Sequence, residues 1–338
     1  MKSLSVLIVP FALVGLLYGD VEGSGVVRVM ARSPSSYVSQ WEKQMKTFGS
    51  RTCDELRTAD PEKKLAVTYY DAVWIYYRIA DHTRDKKWIG CVDAALAAYR
   101  DGYVFANGGK VPGFWVFPHG LWEDWKRRQD PKSKEALLLL ANKAAFAYAP
   151  PDWTKDANSR DGGSREVAYA LMTKYLAKDV GYTDETRIEE LVSQAFGHMD
   201  QWFGGKTANY VRPFMVALTA EALIMHHART GDRRVLPVLK LAADGLWKCC
   251  WNRNQEAMAY TDRDTDSGGQ DPAIDLNLLI APLYGWLYQQ TGIEQYRERG
   301  DALFMGGVAA GDSYLASGKQ FNQNYRWSFD YVAWRNKG

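Results

Sequence analysis

Carboxylates occur at two places in the sequence where glycine or proline interrupts an apolar run. Asp161 and Glu166 lie on either side of a glycine pair, and Asp271 precedes a proline that opens a long apolar segment. Two carboxyl groups a few ångströms apart can serve as general acid and base on a glycosidic bond. Asp161, Glu166 and Asp271 are therefore the candidate catalytic residues.

Each of these carboxylates also has a structural interpretation. Glu166 follows Arg165 directly and could form an ordinary ion pair with it. Asp161 and Asp271 both stand where an N-cap residue is expected, and aspartate is a preferred N-cap. For Asp271 the capped helix would be the apolar segment that follows it. The sequence leaves both interpretations open.

The loop that contains Asp271 begins with a pattern typical of calcium sites. Asp262, Asp264 and Asp266 have the spacing D-x-D-x-D, but Ser267 replaces the glycine of position six and Ala273 the glutamate of position twelve. Calcium is therefore not favoured. The cysteines and histidines lack metal-ligand spacing as well, so we expect neither a metal nor a cofactor.

Aromatic and cationic side chains accompany the carboxylates in the loops and at the starts of apolar helices. Rings can stack on a sugar, and a guanidinium can hold a sugar carboxylate in a two-point grip. Alternatively, Arg212 and Arg326 could neutralise helix carboxylates such as Glu221 or Asp71, and a lone histidine is commonly structural. The candidate substrate-binding residues are Trp115, His119, Arg165, Tyr210, Arg212, Tyr325, Arg326 and Trp327.

The elements that position these residues are predicted to be helices joined as hairpins. The run Ile274 to Leu287 is apolar on nearly every face, which indicates a helix buried on all sides. It ends at Thr291-Gly292, and an amphipathic helix from Glu294 to Leu303 follows. Alternation typical of strands is scarce. The same hairpin recurs around the turns that contain Asp85, Asp184 and Asp232.

Alternating buried and amphipathic helices predict an all-α fold with an inner and an outer layer, an (α/α) toroid that forms one catalytic domain over residues 33–338. An open α-solenoid is the alternative, although solenoid repeats keep a more constant length. In a toroid the long loops share one face, at the N-terminal ends of inner helices, where helix dipoles favour negative charge. These loops are 104–120, 150–164, 204–210, 251–271 and 317–324.

Three local predictions concern this face. We expect one continuous buried helix from about Pro61 to Ala80. We expect His119 in the aromatic loop Val104–Gly120, and one last buried helix whose polar entrance carries Tyr325, Arg326 and Trp327.

Composition and the N-terminus limit the functional class. The chain has 338 residues, 46% of them hydrophobic, and a formal net charge of +2, which argues against nucleic acid as a partner. Lys2 and the apolar run Leu4 to Tyr18 predict a signal peptide over residues 1–23. We expect a secreted or periplasmic protein, with no stable membrane partner unless this segment stays uncleaved.

Four cysteines suit an exported chain without specifying a pairing. Cys53 could bond to Cys91 or to one of the adjacent residues Cys249 and Cys250, and buried free thiols are the alternative.

The hairpins resemble those of the six-hairpin glycosidase-like (α/α) toroids over most of Pro61 to Arg335, on turns such as HARTGDRRV and QQTGIEQY. That group contains glycoside hydrolases and uronate-acting enzymes and, in related toroids, polysaccharide lyases and epimerases. The sequence has no family-diagnostic catalytic motif, so the resemblance assigns no residue roles.

We therefore expect a glycoside hydrolase that cleaves glycosidic bonds of a poly- or oligosaccharide. One alternative is a polysaccharide lyase that acts on uronates, in which Tyr210 or His119 would move the proton. The other is a non-catalytic toroid that binds glycans.

Overall fold

Helices make up most of the computed structural model, which describes residues 34–147, 156–158, 163–266 and 268–336. The all-α prediction is confirmed. Two short strands, β1 (Trp251–Asn252) and β2 (Ala257–Met258), form an antiparallel pair. The predicted signal peptide and Asp161 lie outside the described residues. Within the described ranges, no helix has both the length and the apolar character needed to cross a membrane.

The helices are numbered in chain order. The first seven are α1 Pro34–Thr58, α2 Pro61–Val67, α3 Ala72–Thr83, α4 Ile89–Leu96, α5 His119–Arg128, α6 Pro131–Lys143 and α7 Ser164–Lys178. The others are α8 Glu185–Met199, α9 Pro213–Thr230, α10 Val235–Cys250, α11 Asn277–Thr291, α12 Glu294–Ala310, α13 Gly318–Tyr325 and α14 Ser328–Trp334. A π-helical segment, Ala97–Phe105, continues α4.

The predicted difference between buried and amphipathic helices is present in the structure. α11 is buried at every residue from Asn277 to Tyr288, and α7 and α9 are buried along nearly their whole length. Gly231 and Gly292 end α9 and α11 in the left-handed region, at φ values of 70° and 66°. Glycine adopts this conformation without steric cost, which explains why both hairpin turns were evident in the sequence.

Packing contacts connect alternate helices in chain order, from α3 through α5, α7 and α9 to α11, and α11 packs on α14. The end of the chain returns to its start, because α13 packs on α3 and Arg78 binds both carboxylate oxygens of Asp330 at 2.6 and 2.8 Å. Five of these helices each pack on the helix that follows, in the pairs α3/α4, α5/α6, α7/α8, α9/α10 and α11/α12.

The predicted continuous helix from Pro61 to Ala80 is wrong, because the chain turns between α2 and α3. Tyr70 and Asp71 both adopt left-handed backbone conformations, at φ values of 69° and 71°. Such conformations are costly for residues other than glycine and persist only where surrounding contacts hold them. Here the Asp71 carboxylate caps α3 by accepting the Trp74 N–H at 3.2 Å.

Three further helix starts differ from the predictions. His119 is the first residue of α5 and does not lie in a loop. α11 begins at Asn277, after one 3-10 turn, so Asp271 is not its N-cap. The last predicted helix is divided into α13 and α14, and Arg326 lies at the junction.

All four cysteines are oxidised. Cys53 of α1 bonds to Cys91 of α4, as one of the predicted pairings had it, and Cys249 bonds to Cys250. The free-thiol alternative does not apply, since no described cysteine is free.

The two disulfides should differ strongly in their effect on stability. The Cys53–Cys91 bond spans 38 residues, and loop-closure entropy predicts that Cys53→Ala/Cys91→Ala lowers the free energy of unfolding by about 4 kcal/mol. The matched control Cys249→Ala/Cys250→Ala opens no chain loop, and we expect about 1 kcal/mol or less. Urea unfolding of both variants measures this, and equal losses would contradict the entropic account.

Candidate functional site

A cavity of about 470 Å³ opens where α7 and α9 begin. Its volume is in the range of small-molecule binding pockets. The wall comes from two of the predicted long loops, from the end of the α6 segment, and from the first turns of α7 and α9. The lining residues are Pro112, Gly113, Phe114, Ala145, Phe146, Ala157, Asn158, Ser164, Arg165, Glu166, Arg212 and Met215.

Hydrogen bonds connect the loops around this cavity. The Asn158 amide donates to the Tyr210 carbonyl at 2.6 Å, and the Asp262 carboxylate accepts the Val211 N–H at 2.7 Å. Three of the predicted long loops, or the residues next to them, are therefore neighbours in the structure. Asp262, which the sequence placed in a calcium-like pattern, anchors its loop to the start of α9.

Glu166 and Arg165 form the ion pair that was one of the two sequence interpretations. Arg165 donates from Nε at 3.0 Å and from Nη2 at 2.6 Å to the same oxygen, Oε1. The close approach of Gly113 fixes the Glu166 side chain, because a Cβ at Gly113 would lie 2.6 Å from Glu166 Cγ. Both side chains of the pair are half-buried and line the cavity.

Two aromatic rings line the cavity, Phe114 and Phe146, and the predicted Trp115 is not among the lining residues. Phe114 is 38% exposed, one of the few large apolar side chains of the described residues that face solvent, and Arg165 lies 5.3 Å from its ring centroid. Trp115 packs inward, edge-on against Tyr69 at 4.8 Å and near Phe117. Phe114 is therefore the more exposed of the two rings in the cavity wall.

Arg212 forms another part of the wall. Its guanidinium lies 5.2 Å from the rings of Tyr210 and Tyr260 and 5.8 Å from that of Phe214. It also donates to the Tyr210 hydroxyl at 3.2 Å. The charged residues in the described lining are thus two arginines, Arg165 and Arg212, and one carboxylate, Glu166.

A buried ion pair lies among the central helices. Arg326 donates from Nη2 and Nε to the two carboxylate oxygens of Glu221 at 2.8 and 3.2 Å, and both side chains are buried. The alternative that Arg326 neutralises a helix carboxylate is confirmed. Burial raises the pKa of Glu221, and the charge of Arg326 opposes that rise.

Aromatic rings and a histidine lie around this ion pair. The Arg326 guanidinium lies 5.2 Å from the centroid of the Tyr169 ring and 5.7 Å from that of the Trp74 ring. His119 stacks on the Trp74 ring, with 4.2 Å between the ring centroids. Burial holds the pKa of His119 well below its ordinary value, so the imidazole is neutral. Among the described residues, Tyr169 Oη, His119 Nδ1 and Arg326 Nη1 are buried and have no hydrogen-bond partner.

Asp71 completes this central cluster, and sequence reasoning did not select it as a site residue. Its carboxylate accepts the Gly120 N–H at 3.1 Å as well as that of Trp74. A Cβ at Gly120 would lie 2.4 Å from Val73 Cβ, so only glycine fits there. Burial raises the pKa of Asp71 to about 6. In the sequence, the feature that could have indicated Asp71 was its position as a single carboxylate inside an otherwise apolar run.

Three predicted residues lie elsewhere. Tyr325 is fully buried and donates to the Trp41 carbonyl of α1 at 2.7 Å, which directs it away from the cavity. Trp327 is buried near the Trp334 ring. Asp271 is exposed, and its backbone carbonyl accepts the Tyr260 N–H. None of the three lines the cavity.

The described residues contain no group of three or more His, Cys, Asp or Glu side chains that could hold a metal ion. Comparisons of the chain with models of protein families, with curated proteins and with solved structures found no match. Function is therefore inferred from the cavity and its residues.

Asp71 should impose a pH dependence on stability. Its folded pKa of about 6 is above the ordinary 3.8, so its contribution is fully present below about pH 4 and is lost as the pH rises through 6. Relative to Asp71→Asn, the free energy of unfolding of the parent chain should fall by at most about 3 kcal/mol over that range. Urea unfolding of both chains across this range measures the difference.

Asp60→Asn is a matched control. Asp60 also caps a helix, by accepting the Lys63 N–H, but it is exposed and that hydrogen bond lowers its pKa. Its contribution should therefore be lost as the pH falls, the opposite sign. The same sign for both variants would contradict the assignment of burial as the cause at Asp71.

Proposed function

We propose that this protein is a carbohydrate-active enzyme that hydrolyses glycosidic bonds of a poly- or oligosaccharide. One observation carries the proposal, namely the cavity that combines the Glu166 carboxylate, the exposed Phe114 ring and two arginines. Sugar sites need a flat apolar surface for ring stacking and fixed polar groups for orientation. The cavity offers both on a scaffold of buried helices.

We further infer that the helices close into an (α/α) toroid. The order of contacts from α3 to α14, and the return to α3 through Arg78 and Asp330, support closure. An open solenoid would keep its first and last helices apart. In a toroid the N-terminal ends of the inner helices surround one mouth, which agrees with a cavity at the starts of α7 and α9.

For hydrolysis we assign Glu166 the role of general acid or base. The hydrogen bond from Arg165 Nη2 to Glu166 Oε1, at 2.6 Å, fixes the orientation of its carboxylate. The reaction needs a second carboxylate. Asp161 of the adjoining loop stays our prediction for that role, and Asp271 is the less suitable choice because it does not line the cavity.

Cleavage by β-elimination is the second candidate. Arg212 donates to the Tyr210 hydroxyl at 3.2 Å. A cation and a group that can transfer a proton therefore lie side by side, which favours this candidate. A lyase uses such a pair to neutralise a uronate carboxylate and to remove the proton next to it. Its products contain a new double bond that absorbs ultraviolet light, whereas hydrolysis yields only new reducing ends.

Replacement of Glu166 tests the hydrolase. A screen of neutral and acidic polysaccharides, read by reducing ends and by ultraviolet absorbance, identifies a substrate. On that substrate Glu166→Gln should lower kcat about 100-fold or more. The glutamine amide has nearly the same shape as the carboxylate, but it cannot act as a general acid or base.

Glu123→Gln is the matched control. Glu123 also pairs with an arginine, at 2.8 Å, and is similarly half-buried, but it does not line the cavity. Its kcat should stay unchanged. Equal activity of the Glu166 variant and the parent would remove the hydrolase assignment, and saccharide binding without any turnover would favour the glycan-binding alternative.

A further inference from the structure

We propose that the Cys249–Cys250 disulfide is a site of thiol–disulfide exchange with a dithiol, and that its oxidation state controls how firmly residues 251–262 are held. Neither part of the proposal depends on the proposed function. Three features carry it, namely the exposure of Cys249, the adjacency of the two cysteines in the chain, and their position at the end of α10.

The two cysteines differ in their exposure to solvent. Cys249 is exposed, whereas Cys250 is only 3% exposed. Both line a cavity of about 300 Å³. A thiolate must reach one sulfur atom of a disulfide in order to attack it, and the cavity beside Cys249 gives this access. Cys53 and Cys91, by contrast, are 2% and 3% exposed, so the other disulfide is shielded at both ends.

A bond between adjacent cysteines contributes little to the stability of the fold. A disulfide stabilises mainly by closing a loop of the unfolded chain, and a sequence separation of 1 leaves no such loop. Reduction therefore opens only the small ring that the two side chains form with the peptide bond between them. The backbone of both residues regains conformational freedom, while the rest of the fold stays intact. Such a bond can be opened and formed again in the folded protein.

The pair lies where α10 ends and the segment 251–262 begins. Cys250 is the last residue of α10, and its carbonyl accepts the Ala259 N–H at 2.8 Å. The far end of the segment is bound to Val211, two residues before α9. Asp262 donates its N–H to the Val211 carbonyl at 3.0 Å, and its carboxylate accepts the Val211 N–H at 2.7 Å. Backbone freedom gained at Cys250 therefore loosens a segment that is held at both ends.

The exchange conserves atoms and electrons over two steps. A thiolate of the dithiol attacks Cys249 Sγ and forms a mixed disulfide, while the bond to Cys250 Sγ breaks and Cys250 leaves as a thiolate that takes up a proton. The second thiol of the reductant then loses its proton and attacks the reductant sulfur of the mixed disulfide. Cys249 leaves and is protonated in turn, and the reductant becomes a cyclic disulfide. Two electrons pass from the dithiol to the protein.

The rate of reduction is measured on the folded full chain. Dithiothreitol is added without denaturant, aliquots are mixed with excess N-ethylmaleimide in denaturant, and the alkylated cysteines are located by peptide mass spectrometry. The Cys249–Cys250 bond should be lost at least about 10-fold faster than the Cys53–Cys91 bond, which is the internal control. Equal rates, or faster loss of the Cys53–Cys91 bond, would overturn the exchange site.

Hydrogen exchange of the oxidised and the selectively reduced chain measures the effect on the segment. The amides of Val211, Ala259 and Asp262 should exchange at least about 5-fold faster after reduction, because their hydrogen bonds hold the segment that Cys250 releases. Residues 230–235, before and at the start of α10, should be unaffected. Selective reduction with unchanged exchange at the three amides would contradict control of the segment.

The variant Cys249→Ser/Cys250→Ser assigns the effect to this disulfide. It cannot form the bond, so the three amides should exchange as in the reduced parent, both with and without dithiothreitol. Exchange like that of the oxidised parent, or a remaining response of these amides to dithiothreitol, would refute the assignment. If the variant does not fold, the comparison of the oxidised and reduced parent chain decides the question.

Discussion

The buried ion pair between Arg326 and Glu221 is the constraint on which the centre of the molecule depends. Two charges can be taken out of water only if each is neutralised and held in good geometry, and removal of one partner costs about 3–5 kcal/mol. The partners are 105 residues apart in the chain, so α9 and the α13–α14 junction must meet before either charge is satisfied. Trp74 and Tyr169 enclose Arg326 on two sides, which ties α3 and α7 to the same point.

The proposed binding face is built differently from this centre. Side-chain hydrogen bonds to backbone groups connect its loops, as at Asn158 and Asp262, while the charged cavity residues Arg165, Glu166 and Arg212 stand at the starts of α7 and α9. The helix starts therefore position the charged groups, and the loops supply the rest of the wall, including Phe114. Such a division suits a site that must hold one sugar firmly and accept the rest of a chain.

Part of the fold could be predicted from patterns of neighbouring residues in the sequence. Glycine at the ends of α9 and α11 and the apolar character of α11 indicated the hairpins, because both depend on neighbouring residues only. At the break between α2 and α3, Asp71 caps α3 locally and also accepts a hydrogen bond from Gly120, 49 residues away, and no local pattern encodes the second contact. The sequence likewise identified an aromatic segment without showing which ring faces the cavity. Arg326 was recognised, but only the fold selects Glu221 as its partner.

Hydrogen exchange of the full chain, with and without a saturating concentration of the saccharide identified in the polysaccharide screen, tests the central claim that saccharides bind at the starts of α7 and α9. We predict slower backbone exchange in residues 112–117, 163–169 and 210–216, which surround the cavity. The hairpin turns 82–86 and 230–235, which do not line it, should be unaffected. Protection confined to those turns, or no protection in the three cavity segments at saturation, would contradict the account.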